Sequence, residues 1–295
     1  MSVTLPRLAA RQWLLGGAWV AVFGVLFWPT FGWMAERFDA HDSFYSHGWL
    51  VPFASAWLIW QRRARRQTAS RCATFAGLAL LLPSLCVHVV ATWWHLGFVS
   101  GFAMVGVVWG LVWTLGGRGL LWAWRFPMLF LLFMVPLPGV LLIATSFHMK
   151  LMAASMATGL LKLLGIPALQ MGSMIQVPGT SVIVDDTCSG LRSLISLIML
   201  ATLWISLMPP AAKHWQRLTV VASSIPIALV SNMVRIVILV LLAAVYGSEA
   251  AEGFLHYGSG IVVFGVALIA LAWLSRAVQQ WRLPSCGLNR LPSSP

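Results

Sequence analysis

Long apolar stretches separated by short polar ones set the organisation of this chain. Hydropathy and the length needed to cross a hydrocarbon core give eight spans, at roughly 13–33, 47–61, 74–93, 97–115, 126–144, 188–208, 218–246 and 257–275, the second of them short. The pattern predicts an all-α polytopic membrane protein of about eight transmembrane helices.

The stretch 126–187 is less regular. It must begin on one side and end on the other, so it crosses an odd number of times. The run FPMLFLLFMVPLPGVLLIATSF crosses once, with Pro136 and Pro138 expected to kink it. In HMKLMAASMATGLLKLLG, residues 148–165, one face carries Met152, Met156, Leu160, Leu163 and Leu164, while Lys150, Ser155, Thr158 and Lys162 punctuate the rest. That pattern predicts a helix lying on or dipping into the outer interface. Next, Gln176-Val177 and Val182-Ile183-Val184 flank Pro178-Gly179-Thr180-Ser181, a short extracytoplasmic β-hairpin ahead of the sixth span.

Composition agrees. Of 295 residues, 60% are hydrophobic and 9% charged, with a mean hydropathy of +0.86. Soluble domains carry far more charge, about a quarter of their residues. No internal repeat or low-complexity tract interrupts the chain, so one integral domain over 1–295 is expected, ending in a cytoplasmic tail at 276–295.

The formal charge of +12 invites a nucleic-acid reading, but the bilayer explains it better. With the N-terminus in the cytoplasm, fourteen of the nineteen basic residues fall on the inside. Only Arg37, Lys150 and Lys162 fall outside, and Arg192 and Arg235 fall within spans. All seven acids fall outside. The positive-inside rule therefore orients both termini to the cytoplasm, and no nucleic-acid partner is needed. The basic start and following apolar stretch are too long for a signal peptide and lack a small-x-small cleavage site, which reads as an uncleaved first helix.

Charge changes the picture most at Val184–Leu194, VDDTCSGLRSL, where two acids, a thiol and an arginine meet the start of an apolar run. Polar groups at a bilayer edge are costly unless paired or used. Of four cysteines, Cys72 and Cys286 fall on the inside, Cys86 falls within the third span, and Cys188 alone falls at the outer edge, with no partner for a disulfide there. With the sixth span beginning at 188, Arg192 at i+4 shares a helix face with Cys188, and the helix N-terminus favours an anion. Both favour a thiolate. Asp185 and Asp186 oppose it unless they face solvent or a base, and one of them, or Thr187, caps the helix.

Two further polar intrusions follow. Arg235 lies in the seventh span, eleven residues from its outer end, roughly 16 Å along the axis and hard to reach by snorkelling. Asn232 and Ser231 share its face, which also fits an interhelical hydrogen-bond clamp. His256 opens the eighth span, with Gly253, Gly258 and Gly260 permitting close helix approach. A thiolate nucleophile (Cys188), an imidazole acid/base (His256) and a guanidinium oxyanion stabiliser (Arg235) are the parts of an acyl-transfer site.

Other chemistries fit less well. A transporter or channel with Arg192 and Arg235 as an anion path should show two related halves with paired broken spans, and the sequence has no such symmetry. Ser189 as nucleophile is a distinct possibility, but it would sit about 100° from Cys188 around a helix. Asp39, His41, Asp42 and His47 have metal-binding composition without a ligand spacing, so no metal and no cofactor is expected.

These residues carry a resemblance. Thr187-Cys-Ser-Gly-Leu-Arg-Ser-Leu194, Asn232-Met-Val-Arg-Ile236, His256 before a glycine-containing final helix, and the early DSFYSHGWLVPFASAWLIWQRR at 42–63 resemble the exosortase/archaeosortase family over about residues 40–275. The resemblance implies a multipass membrane cysteine protease or transpeptidase of the Gram-negative inner membrane. Its partners would be exported, membrane-anchored substrates with a C-terminal sorting signal: a short motif such as Pro-Glu-Pro, a transmembrane helix and a basic tail. It implies a triad of Cys188, Arg235 and His256 and adds His47 as a secondary candidate, beside Arg192, Asn232, Ser189, Asp185 and Asp186, which the residues themselves mark as secondary. Some relatives carry an extra C-terminal domain, whose function here would be absent or supplied by another protein. A basic cytoplasmic tail puts such a substrate's cleavage motif at the outer end of its helix, the depth expected for Cys188.

Overall fold

The computed structural model describes residues 17–40, 43–62, 74–185, 188–247 and 254–280, and omits the side chains of 254–257. Cys72, Cys286, His41, Asp42, Asp186, Thr187, Gly253 and the tail from 281 onward lie outside the described residues. The chain divides into two compact units, one up to Leu141 and one from Leu142.

In the first unit, helix α1, residues 17–26, meets α2 (Trp28–Asp39) at a 68° bend. Pro29, in the first turn of α2, has no N–H to continue the α1 ladder. The bend is held by a buried polar chain from the fourth helix, α4 (Leu78–Trp93), and the fifth, α5 (Gly97–Phe130). His88 Nε2 lies 3.1 Å from the Leu26 carbonyl, and its Nδ1 lies 2.7 Å from Ser100 Oγ. Ser100 Oγ is in turn 2.6 Å from Thr30 Oγ1. A carbonyl only accepts, so Nε2 of the neutral ring carries the proton, Ser100 donates to Nδ1, and Thr30 donates to Ser100. The side chains of His88, Ser100 and Thr30 are thereby satisfied.

Helix α3 (Leu50–Gln61) follows a 3-10 turn at Ser46–Trp49 and is short, as its sequence predicted. Helix α5 packs on α4 through small residues. A Cβ on Gly110 would fall 2.8 Å from the Leu81 backbone, and one on Gly106 2.5 Å from Ser84 Oγ. Glycines four apart let two helix backbones approach, the usual device where lipid supplies no hydrophobic drive for helix association. Gly110→Val is therefore expected to cost about 1–3 kcal/mol through overpacking against backbone that has no room to yield. Thermal unfolding in detergent, compared with Gly159→Val at an open position, measures it.

The expected break between the fourth and fifth spans appears as a kink at Gly117 (φ 72°, ψ 178°) inside α5, a conformation open to glycine. Two sequence expectations are corrected beyond it. The fifth span at 126–144 does not form as one helix: the chain is non-helical from Val135 to Pro138, and α6 starts afresh at Gly139 and runs to Leu163. Pro136 and Pro138 end the helix rather than kink it, because neither has a donor for the ladder. The interfacial helix at 148–165 is instead the continuation of α6, 25 residues at a mean hydropathy of 1.5, enough to cross a membrane. Met152, Leu163 and Leu164 point outward, while Ala153, Ala154, Ala157 and Leu161 are buried. The alanines, with Leu161, face the protein, and several large residues face outward, as in a lipid-exposed helix.

The second unit continues with a three-stranded antiparallel sheet, β1 (Leu169–Met171), β2 (Met174–Val177) and β3 (Thr180–Ile183), in sequential order. Val177 pairs with Thr180 across Pro178-Gly179. Proline fixes φ at the first turn position and Gly179 takes φ +86° at the second. Strand β1 was not anticipated, although Gly172-Ser173 is a turn signal between it and β2. Three helices complete the unit: α7 (Leu191–Leu207), α8 (His214–Tyr246) and α9 (Phe254–Gln280). Among the described residues, five helices are long and apolar enough to cross a membrane, six if the bent α1–α2 pair counts as one span, with α7 shorter.

Candidate functional site

The site is assembled in the second unit, where the chain leaving the sheet toward α7 packs against α8. Val184 N–H donates to the Ser173 carbonyl at 2.9 Å, tying the end of β3 back to the β1–β2 turn. Cys188 N–H then donates to the Asp185 carbonyl at 3.0 Å. Cys188 is 4% exposed and packs in a cluster with Ile175, Val177, Val184, Ile236 and Val240. Apolar residues of β2, the β3 exit and α8 therefore hold the cysteine on several sides. Neither Cys188 nor Cys86 is in a disulfide.

One local expectation changes. Helix α7 begins at Leu191, with Gly190 as its N-cap at φ 80°, ψ −3°. Cys188 and Ser189 therefore precede the helix, on a tight turn. The shared helix face of Cys188 and Arg192 does not exist, and neither does the 100° offset between Cys188 and Ser189. The left-handed Gly190 is the cause: a helix cannot extend backward through that conformation. The cap is not Asp185, which is exposed, since the N-cap position is Gly190 without a side-chain cap bond. Ser189 is fully buried, and its Oγ accepts from Leu191 N–H at 3.3 Å, satisfying a first-turn donor. Arg192 is partly buried in the first turn of α7.

Helix α8 carries the other polar groups. Asn232 and Arg235 are buried, 5% and 8% exposed, on one face at i and i+3. Asn232 Nδ2 donates to the Cys188 carbonyl at 2.8 Å. Arg235 lies eleven residues before the helix end at Tyr246, too deep for its charge to reach an end easily. Its guanidinium lies against Gly260 of α9: a Cβ there would be 3.5 Å from Cζ and from one terminal nitrogen. Gly260 thus lets the arginine reach α9. Ser193, Ser231, Asn232, Arg235 and Gly260 border a cavity of about 10 Å³, the volume of one water. His256 is one turn before Gly260 on the same stripe of α9, and its side chain is outside the described part.

The fold therefore brings Cys188, Asn232, Arg235 and the Gly260 stripe of α9 together. His47 belongs to the first unit, buried in the Ser46–Trp49 turn with its ring 5.7 Å from that of Tyr45. Among the described residues no group of three His, Cys, Asp or Glu is placed to hold a metal. The contact that sequence reasoning missed is the one from Asn232 to the Cys188 carbonyl, which joins residues 44 apart. The proximity of Asn232 to Arg235 marked the residue but not its partner.

Residues 33–273 match the family described as Transmembrane exosortase (Exosortase_EpsH). No curated protein and no solved structure matches the chain. The family match spans well over half the sequence and contains Cys188, Asn232, Arg235 and His256. Together with helices long enough to span a bilayer several times over, it makes this protein a multi-pass membrane protein of the transmembrane exosortase family.

Proposed function

We propose that this exosortase is a cysteine peptidase or transpeptidase that removes the C-terminal sorting signal of exported, membrane-anchored proteins. The observation that supports the reading is the approach of the Cys188 turn and Arg235 along helix α8, with Gly260 of α9 against the guanidinium.

In this mechanism the Cys188 thiol gives its proton to the His256 imidazole, and the sulfur attacks the carbonyl carbon of the scissile peptide. The carbonyl oxygen becomes an oxyanion, and Arg235 stabilises it. Collapse of the tetrahedral adduct breaks the C–N bond. His256 returns the proton to the leaving amine, which departs on the substrate's helix and basic tail. A thioester remains on Cys188. Water or an acceptor amine then attacks it, loses a proton to His256, and releases the thiol. Burial of Cys188 and Arg235 keeps both in a medium of low polarity, where an ion–dipole contact is stronger than in water.

The active site is proposed to lie at the extracytoplasmic face of the cell inner membrane, with both termini cytoplasmic. With α5 counted as one span and α6 in place of the 126–144 crossing, this orientation is preserved. The excess of arginine and lysine in the inner loops supports it.

The test is a reporter bearing a short motif, a transmembrane helix and a basic tail, expressed with the protein and scored by mobility. Cleavage is expected, and His256→Ala is expected to slow it by about 10²- to 10⁴-fold, the usual worth of acid–base help. Wild-type cleavage that persists unchanged in His256→Ala would remove the histidine from the mechanism.

A further inference from the structure

We propose that Asn232 is a positioning residue for the nucleophile: its amide holds the Cys188 carbonyl and so fixes the turn that presents the thiol. The functional consequence rests on the cysteine mechanism above, whereas the contact stands on geometry alone.

Cys188 is not held by an α-helix. It has 3-10 conformation and, with Ser189 and Gly190, links the sheet to α7, and so short a link has few backbone bonds of its own. Cys188 N–H reaches back to Asp185, and the Gly190 carbonyl accepts from Leu194 N–H at 2.9 Å. The Cys188 carbonyl is anchored across space by Asn232 Nδ2 at 2.8 Å, in a buried setting. A carbonyl can only accept, so the amide must present its nitrogen. Among the described residues Asn232 Oδ1 has no hydrogen-bond partner, although it is buried. The orientation of the amide is thus dictated by the Cys188 carbonyl, with the acceptor end left at a cost.

Gly190 completes the fit. A Cβ on it would fall 2.8 Å from both Cγ and Nδ2 of Asn232, so the amide packs directly on the turn. Its φ of 80° is independently suited to glycine. Asn232 and Arg235 are one turn apart on the same rigid helix. One element therefore sets both the position of the nucleophile's backbone and that of the proposed oxyanion stabiliser. Displacement of about 1 Å in such an arrangement costs on the order of 10²-fold in rate.

Asn232→Asp tests the inference, because the isosteric carboxyl can donate to the carbonyl only when protonated. Cys72, Cys86 and Cys286 are first replaced by serine, so that iodoacetamide reports Cys188 alone. The Cys188 alkylation rate and the reporter cleavage rate are measured between pH 5 and 8 and expressed as variant over parent at each pH. The ratio is expected to be depressed about tenfold or more at pH 8 and to recover toward unity as the pH falls and the introduced carboxylate takes up its proton. Asn232→Ala and Gly190→Ala should be depressed at every pH, with membrane levels matched. A ratio for Asn232→Asp that is flat with pH, or near unity throughout, overturns the inference while leaving cysteine chemistry intact. If the parent fails to cleave but the alkylation ratio follows pH as described, the amide's role stands and the peptidase reading falls.

Discussion

Cys188→Ala is expected to reduce cleavage of the sorting-signal reporter below detection, at membrane levels equal to wild type. In acyl-transfer enzymes the loss of the nucleophile alone costs on the order of 10⁶-fold in kcat, since the remaining groups act only in concert with it. Alanine is tolerable in the fold: Cys188 occupies a small buried site among Ile175, Val177 and Val184, and removing one sulfur there creates a modest void. Stability and catalysis therefore separate in this variant. Ser189→Ala is the paired control. Its Oγ satisfies Leu191 N–H, so its loss should lower stability by about 1 kcal/mol and leave cleavage in place. Cleavage that survives Cys188→Ala and disappears in Ser189→Ala would move the nucleophile by one residue and replace the thiol mechanism with a serine one. A transporter reading predicts neither loss.

Arg235 carries the second large effect. Arg235→Ala should slow cleavage by about 10²- to 10³-fold, the cost of removing one oxyanion donor, or about 3–4 kcal/mol in the transition state. Arg235→Lys keeps the charge but not the planar fork against Gly260, and lies between wild type and alanine. The structural alternative, an interhelical clamp, gives a different pattern. A clamp variant loses thermal stability in detergent and retains its rate per folded molecule. Cleavage at the wild-type rate in a destabilised Arg235→Ala would assign the arginine to packing between α8 and α9.

Both effects concern residues that stood out along the chain because they are polar where the surroundings are apolar. The same property made the long helices α4, α8 and α9 legible, since an apolar run of bilayer length has few alternatives. The resemblance carried by Cys188-Ser-Gly-Leu-Arg192 and Asn232-Met-Val-Arg235 pointed to the family that the match over 33–273 shows. Where hydropathy was nearly uniform, it misplaced boundaries. The run from 126 to 144 is apolar throughout, so its average could not say that Pro136 and Pro138 end a helix and that Gly139 begins another. Nor could it say which side of α6 faces inward: the methionines and leucines gave the stronger amphipathic pattern, yet Ala153, Ala154 and Ala157 make the close packing.

The sequence by itself determined that the protein is a helical membrane protein and which polar residues interrupt its apolar helices, because burial of backbone in lipid leaves helices as the economical solution for such runs. Only the tertiary structure decided that Cys188 stands on a turn before α7 instead of within it. A single left-handed residue, Gly190, sets that boundary, and the Asn232 side chain packs on it from another helix. A contact between residues 44 apart leaves no periodicity to read, since it depends on how two helices and a sheet pack in space.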